Sequence, residues 1–150
     1  MRRIIAALAL LASFASSAAH LVGGEITYTC LGSNQYQVKL RIYRDCFSGG
    51  AAFDNSVNFS VYNLAGTLVT NPSVPKGPTI SVPAGTGNPC LTTPPNICTE
   101  YAEYIATLTL PPVVGGYTIS YQRCCRNSTI SNITNPGSRG NTYTVQIRSE

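Results

Sequence analysis

Apolar and polar residues alternate along much of the chain, which is the pattern of β-strands with one buried face. The stretch "EITYTC" is followed by "LGSN" and then by a second alternating run. In that run the even-numbered positions from 36 to 42 are apolar or aromatic, and the positions between them are polar. Alternation on both sides of a turn that contains glycine and asparagine predicts an antiparallel hairpin.

The same period of two recurs later in the chain. It places apolar side chains on one face in residues 57–61, 102–110, 117–121 and 143–147, and shorter strands are expected at 67–70 and from Thr79. Residues 83–97 are rich in proline, glycine, asparagine and threonine, which is typical of a long loop.

About eight short strands, with no helix expected after residue 20, predict an all-β fold. We expect an Ig-like antiparallel β-sandwich with disulfides, Ig-like in architecture only, because the chain lacks the core tryptophan of immunoglobulin domains. A closed barrel is the alternative.

The amino terminus has the features of a secretory signal peptide. A basic start at Arg2 and Arg3 precedes the uncharged, mostly apolar residues 4–14, and Ser17 and Ala19 occupy the −3 and −1 positions of a cleavage site before His20. We therefore predict a signal peptide over residues 1–19 and a single domain over 20–150, located outside the cell. No later stretch approaches the roughly 20 apolar residues of a membrane span, so we expect none after cleavage.

The charge balance argues against nucleic-acid binding. The full chain has a formal net charge of +4, and removal of Arg2 and Arg3 with the leader reduces it to +2. The remaining charges are few, and the lysines and arginines do not cluster, so nucleic acid is not an expected partner.

Six cysteines remain after export, and an even number in an oxidising compartment predicts disulfides. They are Cys30, Cys46, Cys90, Cys98, Cys124 and Cys125. Zinc is the rival interpretation, but no CxxC occurs, Cys90 and Cys98 are too widely spaced, and the single histidine, His20, lies at the mature terminus. We expect no metal site and no cofactor.

Strand alternation suggests how these cysteines pair. Continued through "YTISYQRCC", it places Cys125 on the core face and Cys124 on the outer face. The two neighbours should then have different partners, Cys125 with Cys30 or Cys46 and Cys124 with Cys90 or Cys98. In the predicted hairpin Cys30 and Cys46 lie roughly 30 Å apart, beyond the ~7 Å reach of a disulfide. A vicinal Cys124–Cys125 bridge, which needs a strained ring, is the alternative.

No catalytic constellation is expected. Glu100 and Glu103 are three residues apart on a predicted strand and should face opposite ways. Asp45 and Asp54 flank the "CFSGGAAF" loop, but two carboxylates are few for a calcium site. Arg123 and Arg126, on either side of the paired cysteines, are expected in solvent beside a structural disulfide rather than activating a thiol. We predict that the chain is not an enzyme.

The nine tyrosines divide between the two faces of the predicted strands. Alternation places Tyr28, Tyr36, Tyr104, Tyr117, Tyr121 and Tyr143 on core faces, and Tyr43, Tyr62 and Tyr101 on the opposite faces. An exposed strip of the latter three would suit a glycan or a protein, and ordinary packing at the sheet margins is the other interpretation.

Several stretches together resemble a known module. "GGEITYTC", "YRDC" and "GGYTISYQRCCRN" are the most specific, and the likeness is looser over residues 47–89. They resemble an N-terminal module of large secreted Bacteroidetes surface proteins, which carry PKD-type repeats and a sorting domain associated with gliding motility and type IX secretion. This chain contains neither repeats nor a sorting domain, so we expect either a reading frame that continues or a small subunit that acts alone.

The resemblance implies an extracellular β-domain in adhesion or surface assembly, without catalytic residues. We therefore expect a non-enzymatic, secreted structural or adhesion domain of the cell surface, whose partners are other protein modules or copies of itself. A subunit of an extracellular assembly or filament is one form of this role. The alternative is a glycan-binding module of a larger secreted protein, based on the exposed tyrosines and the long loop.

The cleavage site gives a direct prediction. The exported protein should begin at His20, because Ser17 and Ala19 satisfy the small-residue rule of signal peptidase. Intact-mass spectrometry of the secreted product measures this, and a product that retains residues 1–19 would contradict it.

Overall fold

The computed structural model describes residues 21–47, 51–85, 90, 92, 95–127 and 130–148. The predicted signal peptide, His20 and parts of the loops at 48–50 and 86–94 lie outside these residues. In the described part of the chain, regular structure is β-strand except for one 3-10 turn at Pro136–Ser138. No helix in these ranges has the length and hydropathy of a membrane span.

The residues that the structure describes form nine strands, numbered here in chain order. They are β1 (Leu21–Gly32), β2 (Gln35–Asp45), β3 (Ser56–Asn58), β4 (Ser60–Asn63), β5 (Leu68–Thr70), β6 (Ser73–Val82), β7 (Thr99–Thr109), β8 (Tyr117–Arg123) and β9 (Asn141–Ile147).

The strands form two antiparallel sheets. One has five strands in the order β1-β2-β7-β6-β3, and the other has four in the order β5-β4-β8-β9. This arrangement confirms the predicted all-β sandwich. The alternative, a closed barrel, is not observed, because the strands form two sheets. The run predicted as one strand at 57–61 is divided at Phe59, because β3 joins the first sheet and β4 the second.

The first two strands form the predicted hairpin. Ile26 lies opposite Leu40 and Tyr28 opposite Val38, as the alternation requires. Ser33 and Asn34 turn the chain with φ values of 49° and 62°, in the left-handed region that asparagine tolerates well. We call this end of the sandwich the hairpin end, and the opposite end, where β1 begins, the Leu21 end.

Inward-facing side chains of both sheets make one apolar core. The largest fully buried ones come from β2, β4, β6, β7, β8 and the β3–β4 junction: Tyr104, Phe59, Leu40, Ile42, Ile119, Val38, Val61 and Val74. The predicted core faces are therefore confirmed for the central strands. Tyr28 is an exception, since it is 39% exposed. Its register partner Val38 on β2 is fully buried, whereas the edge strand β1 is exposed from residue 27 onward, and Tyr28 lies in that exposed segment.

The two sheets meet along one edge, where β9 lies beside the first half of β1. Gly24 makes this approach possible. A Cβ atom there would lie 2.8 Å from the Arg41 carbonyl oxygen and 3.0 Å from the Tyr143 ring. Beyond this contact, residues 27–32 of β1 are all exposed.

One disulfide joins Cys46, just after β2, to Cys98, just before β7, with Cα atoms 5.0 Å apart. The Cys46 N–H also donates to the Cys98 carbonyl oxygen at 3.0 Å. The expected link from Cys46 or Cys30 to Cys125 is wrong. Because β7 pairs with β2, with Thr99 opposite Asp45, the long loop returns Cys98 beside Cys46.

The second disulfide is the vicinal Cys124–Cys125 bridge, so the expected pairing of Cys124 with Cys90 or Cys98 is also wrong. The alternation cannot be continued through these residues, because β8 ends at Arg123 and Cys125 has a left-handed φ of 83°. Cys30 and Cys90 are exposed and take part in neither of the two bridges.

The paired cysteines form a corner between the sheets. The N–H groups of Cys125 and Arg126 both donate to the Arg139 carbonyl oxygen at 3.1 Å. Arg126 then forms a parallel bridge with Leu21, the first residue of β1. The chain thus leaves the four-stranded sheet at Arg123 and reaches the edge of the five-stranded sheet three residues later.

Removal of the Cys46–Cys98 bridge should destabilise the fold. For a sequence separation of 52 residues, loss of the constraint on the unfolded chain corresponds to about 4 kcal/mol. The double variant Cys46→Ser/Cys98→Ser should therefore unfold at markedly lower urea concentration. Cys30→Ser, at an exposed thiol, is the matched control and should change the free energy of unfolding by less than about 0.5 kcal/mol. An unchanged midpoint in the double variant would contradict the bridge.

Candidate functional site

The outer surface of strands β4, β8 and β9 in the four-stranded sheet is uncharged and hydrophilic, whereas the edge strand β5 places the exposed Leu68 beside Tyr62. Inward positions of β4, β8 and β9 are apolar, so alternation turns hydroxyl, amide and phenol groups outward. These side chains, called the polar face here, are Ser60, Tyr62, Thr118, Ser120, Gln122, Thr142, Thr144 and Gln146, of which Ser120 is covered by its neighbours and buried. The strand register aligns them in rows: Ser60 with Ser120 and Thr144, and Tyr62 with Thr118 and Gln146.

Two grooves indent the polar face. The Asp54 groove, of about 550 Å³, is lined by Asp54, Asn71 and Gln122 among others and extends toward the Leu21 end. The Gly116 groove, of about 580 Å³, extends toward the hairpin end. Both volumes fall within the range of small-molecule sites, roughly 300–1,000 Å³. Tyr62 lines both grooves and therefore stands between them.

A hydrogen-bonded cluster closes one end of the Asp54 groove. The Arg123 guanidinium lies 3.2 Å from a carboxylate oxygen of Asp54, and its other terminal nitrogen donates to the Ala52 carbonyl oxygen, also at 3.2 Å. The Arg123 side chain is only 12% exposed, so the expectation of a solvated arginine is wrong. Arg123 is buried because its guanidinium contacts Ala52 and Asp54, in the loop before β3, from the end of β8.

Two core tyrosines complete this cluster from below. The Tyr104 hydroxyl donates to the Asp54 carbonyl oxygen at 2.7 Å, and the Tyr121 hydroxyl donates to its carboxylate at 3.3 Å. Burial, reinforced by the charge of Asp54, raises the pKa of Tyr104 to about 12 and also raises the pKa of Tyr121. Both phenols therefore stay protonated as donors at neutral pH. The Asp54 side chain remains 47% exposed and so presents a carboxylate to the groove.

The outer surface of the five-stranded sheet has a different character. Arg41 donates to Glu103 from Nε at 2.9 Å, and Glu25 approaches the same guanidinium at 3.6 Å. Arg41 also lies 4.9 Å from the centre of the Tyr101 ring. These charges are paired with each other across neighbouring strands, so this face is a network of surface ion pairs that solvent screens.

The glutamates and tyrosines that the sequence suggested as candidate site residues lie in different places in the structure. Glu103 belongs to this outer network, whereas Glu100 bonds Arg44, so the prediction that the two glutamates face opposite ways is confirmed. Tyr43 and Tyr101 are neighbours on this sheet, with ring centroids 5.6 Å apart, while Tyr62 lies on the other sheet. The three tyrosines thus do not form one strip.

The aspartates flanking the 46–53 loop have separate partners. Asp45 accepts the Phe47 N–H at 2.8 Å, and Asp54 pairs with Arg123. Within the described ranges, the structure brings together no group of three or more histidine, cysteine, aspartate or glutamate side chains with metal-binding geometry.

Comparison of the chain with protein-family models gave no match. Searches of curated proteins and of solved structures likewise gave no significant match. Arguments about function therefore rest on the groups that the fold exposes.

The buried phenols predict a weakening of the fold in alkali. The pKa of Tyr104 rises from 10.0 in the unfolded chain to about 12 in the folded one. Its contribution is therefore fully present below pH 10 and is lost as the pH rises toward 12, by at most about 1.4 kcal/mol per pH unit. Urea unfolding at stepped pH values measures this loss.

Tyr104→Phe is the informative variant. It should be less stable than the parent at pH 7, by about 1 kcal/mol, because the Asp54 carbonyl loses its donor. Its stability should also fall less steeply above pH 10 than that of the parent, because the phenol with the raised pKa is absent. Equal slopes in the parent and Tyr104→Phe would contradict the assignment.

Proposed function

We propose that the chain is a non-enzymatic module of a bacterial cell surface, exported from the cell, that acts in adhesion or as a unit of an extracellular assembly. The observation that carries the proposal is the exposed edge of β1. Residues 27–32 lie at the border of the five-stranded sheet, are exposed, and contain no charged side chain. The sequence resemblance to secreted Bacteroidetes surface proteins supports the same role.

An uncovered sheet edge offers a row of backbone donors and acceptors to another strand. Proteins that stay monomeric usually protect such edges with charge, proline, a bulge or a covering segment. In β1, Tyr143 covers Gly24, and a bulge follows Cys30, but residues 27–30 between them are open. This edge therefore suits strand addition by another module or by a second copy of the chain.

Export is supported by the cysteine chemistry. Structural disulfides persist in oxidising compartments and are rare in a reducing cytosol. The Cys46–Cys98 bridge joins the end of β2 to the start of β7 in the five-stranded sheet. The predicted signal peptide supplies the route of export. The proposed location is thus outside the cell, at its surface.

The proposal includes no catalytic step. The polar cluster at the end of the Asp54 groove joins Asp54, Arg123 and the core tyrosines, and its members contact each other or the backbone of the 52–54 loop. Each of these contacts holds the 52–54 loop against β7 or β8, which is a structural role.

The open edge predicts self-association that charge should block. Light scattering and electron microscopy should detect species larger than a monomer as protein concentration increases. Thr29→Lys should shift the association to at least about tenfold higher concentration, because lysines on an edge strand oppose pairing. The matched control is Gln37→Lys, an exposed position on the same outer face that β2 pairs on both sides, with Thr29 and with Thr107. A monodisperse monomer at high concentration would contradict assembly through this edge.

A further inference from the structure

The polar face has the chemistry of a sugar-binding surface. Hydroxyl and amide side chains both donate and accept hydrogen bonds, as sugar hydroxyls do. Ser60 donates to the Asn71 amide oxygen at 3.2 Å, and both residues line the Asp54 groove. Gln122 lines the same groove and is exposed. Directional polar groups of this kind fix the orientation of a ligand.

The charge pattern selects for a neutral ligand. The eight side chains of the polar face are uncharged, and charged groups appear only at its margins among the described lining residues: Asp54 and Arg123 at one end and Arg148 at the other. Arg123 is neutralised by Asp54, whose half-exposed carboxylate would repel an acidic sugar in that groove. The same carboxylate can accept hydrogen bonds from sugar hydroxyls.

The position of Tyr62 selects for an extended ligand. Tyr62 lines both the Asp54 groove and the Gly116 groove, so it stands where the two approach each other. A tyrosine ring offers a flat apolar contact for the C–H groups of a sugar and a hydroxyl that remains wet. A chain of several sugar units can occupy both grooves and cross the ring, whereas a single sugar fills one groove only.

Both grooves are built on a rigid support. The Asp54 groove is held by the Arg123–Asp54 pair and the Tyr104 hydrogen bond. The Gly116 groove is bounded by a turn that lies against β9, since a Cβ atom on Gly116 would fall 1.9 Å from the Ile147 carbonyl oxygen. Groups fixed before binding lose little freedom when the ligand arrives.

We propose that the polar face binds a neutral oligosaccharide that lies across Tyr62, with sugar units in the Asp54 and Gly116 grooves. The inference rests on the proposed function, because it supplies the ligand class for its adhesive form. It differs from the sequence-based expectation in using Tyr62 alone, while Tyr43 and Tyr101 belong to the ion-pair network of the other sheet.

Isothermal titration calorimetry of the folded chain with neutral hexasaccharides tests the proposal. The probes are the β1,4-glucose, α1,4-glucose, β1,4-mannose and β1,4-xylose hexamers, with hexagalacturonate as the acidic comparison and an uncharged, serine- and threonine-rich peptide as the protein comparison. At least one neutral hexamer should bind, more tightly than its monosaccharide and with little dependence on salt. Binding of none of the neutral hexamers, or of only the acidic sugar or the peptide, would overturn the proposal.

Variants locate the ligand. Tyr62→Ala should weaken binding about tenfold, the equivalent of roughly 1.4 kcal/mol, whereas Tyr62→Phe should retain most of it. Tyr101→Ala, which removes an aromatic ring from the opposite outer face, is the matched control and should bind as the parent does. Gln122→Ala should weaken binding through the Asp54 groove without loss of stability, since Gln122 is exposed. Unchanged affinity in Tyr62→Ala would overturn the proposal.

This test is independent of the test of assembly. Thr29→Lys lies on the other sheet, so it should leave sugar binding unchanged. A protein that assembles through β1 but binds no neutral sugar contradicts only the sugar site. A protein that binds sugar but remains monomeric contradicts only the assembly.

Discussion

The structure depends on burial of one face of every strand between two sheets. The centre of this contact is the β2–β7 pair, where Leu40 and Ile42 of one strand and Tyr104 of the other are fully buried. Because burial uses only alternate residues, the outward positions of both sheets are under no packing constraint. The two outer surfaces have therefore been able to acquire different chemistry, ion pairs on one and uncharged polar groups on the other.

The paired cysteines act on the path of the chain rather than on the core. Their bridge, together with the left-handed Cys125, bends the chain away from β8 and delivers Arg126 to the start of β1. This connection ties the two sheets at the Leu21 end, while Tyr143 packed over Gly24 ties them farther along the same edge. The two sheets are thus joined along one side of the sandwich, by the chain segment from Arg123 to Arg126 and by the packing of Tyr143 over Gly24.

Local periodicity was sufficient to predict the hairpin and the buried positions of β2, β7 and β8, because each depends on the character of neighbouring residues alone. The cysteine pairing depends on which distant strands are adjacent and on one left-handed residue, neither of which alternation reveals. The cluster of Asp54, Tyr104 and Arg123 was missed for the same reason. The outward direction of Thr118 and Gln122 was predictable, but their alignment with β4 and β9 follows from the strand order.

The directions of β1 and β9 have a mechanical consequence. Leu21 and Ile147 lie at opposite ends of the sandwich, with Leu21 bridged to Arg126 and Ile147 paired with Tyr117 near the hairpin end. A pulling force between these two residues would act along the strands, so β1 would have to slide past β2 and β9 past β8. Under such shear the hydrogen bonds of each ladder share the load, whereas peeling would break them one at a time. The module is thus arranged to resist tension along its long axis.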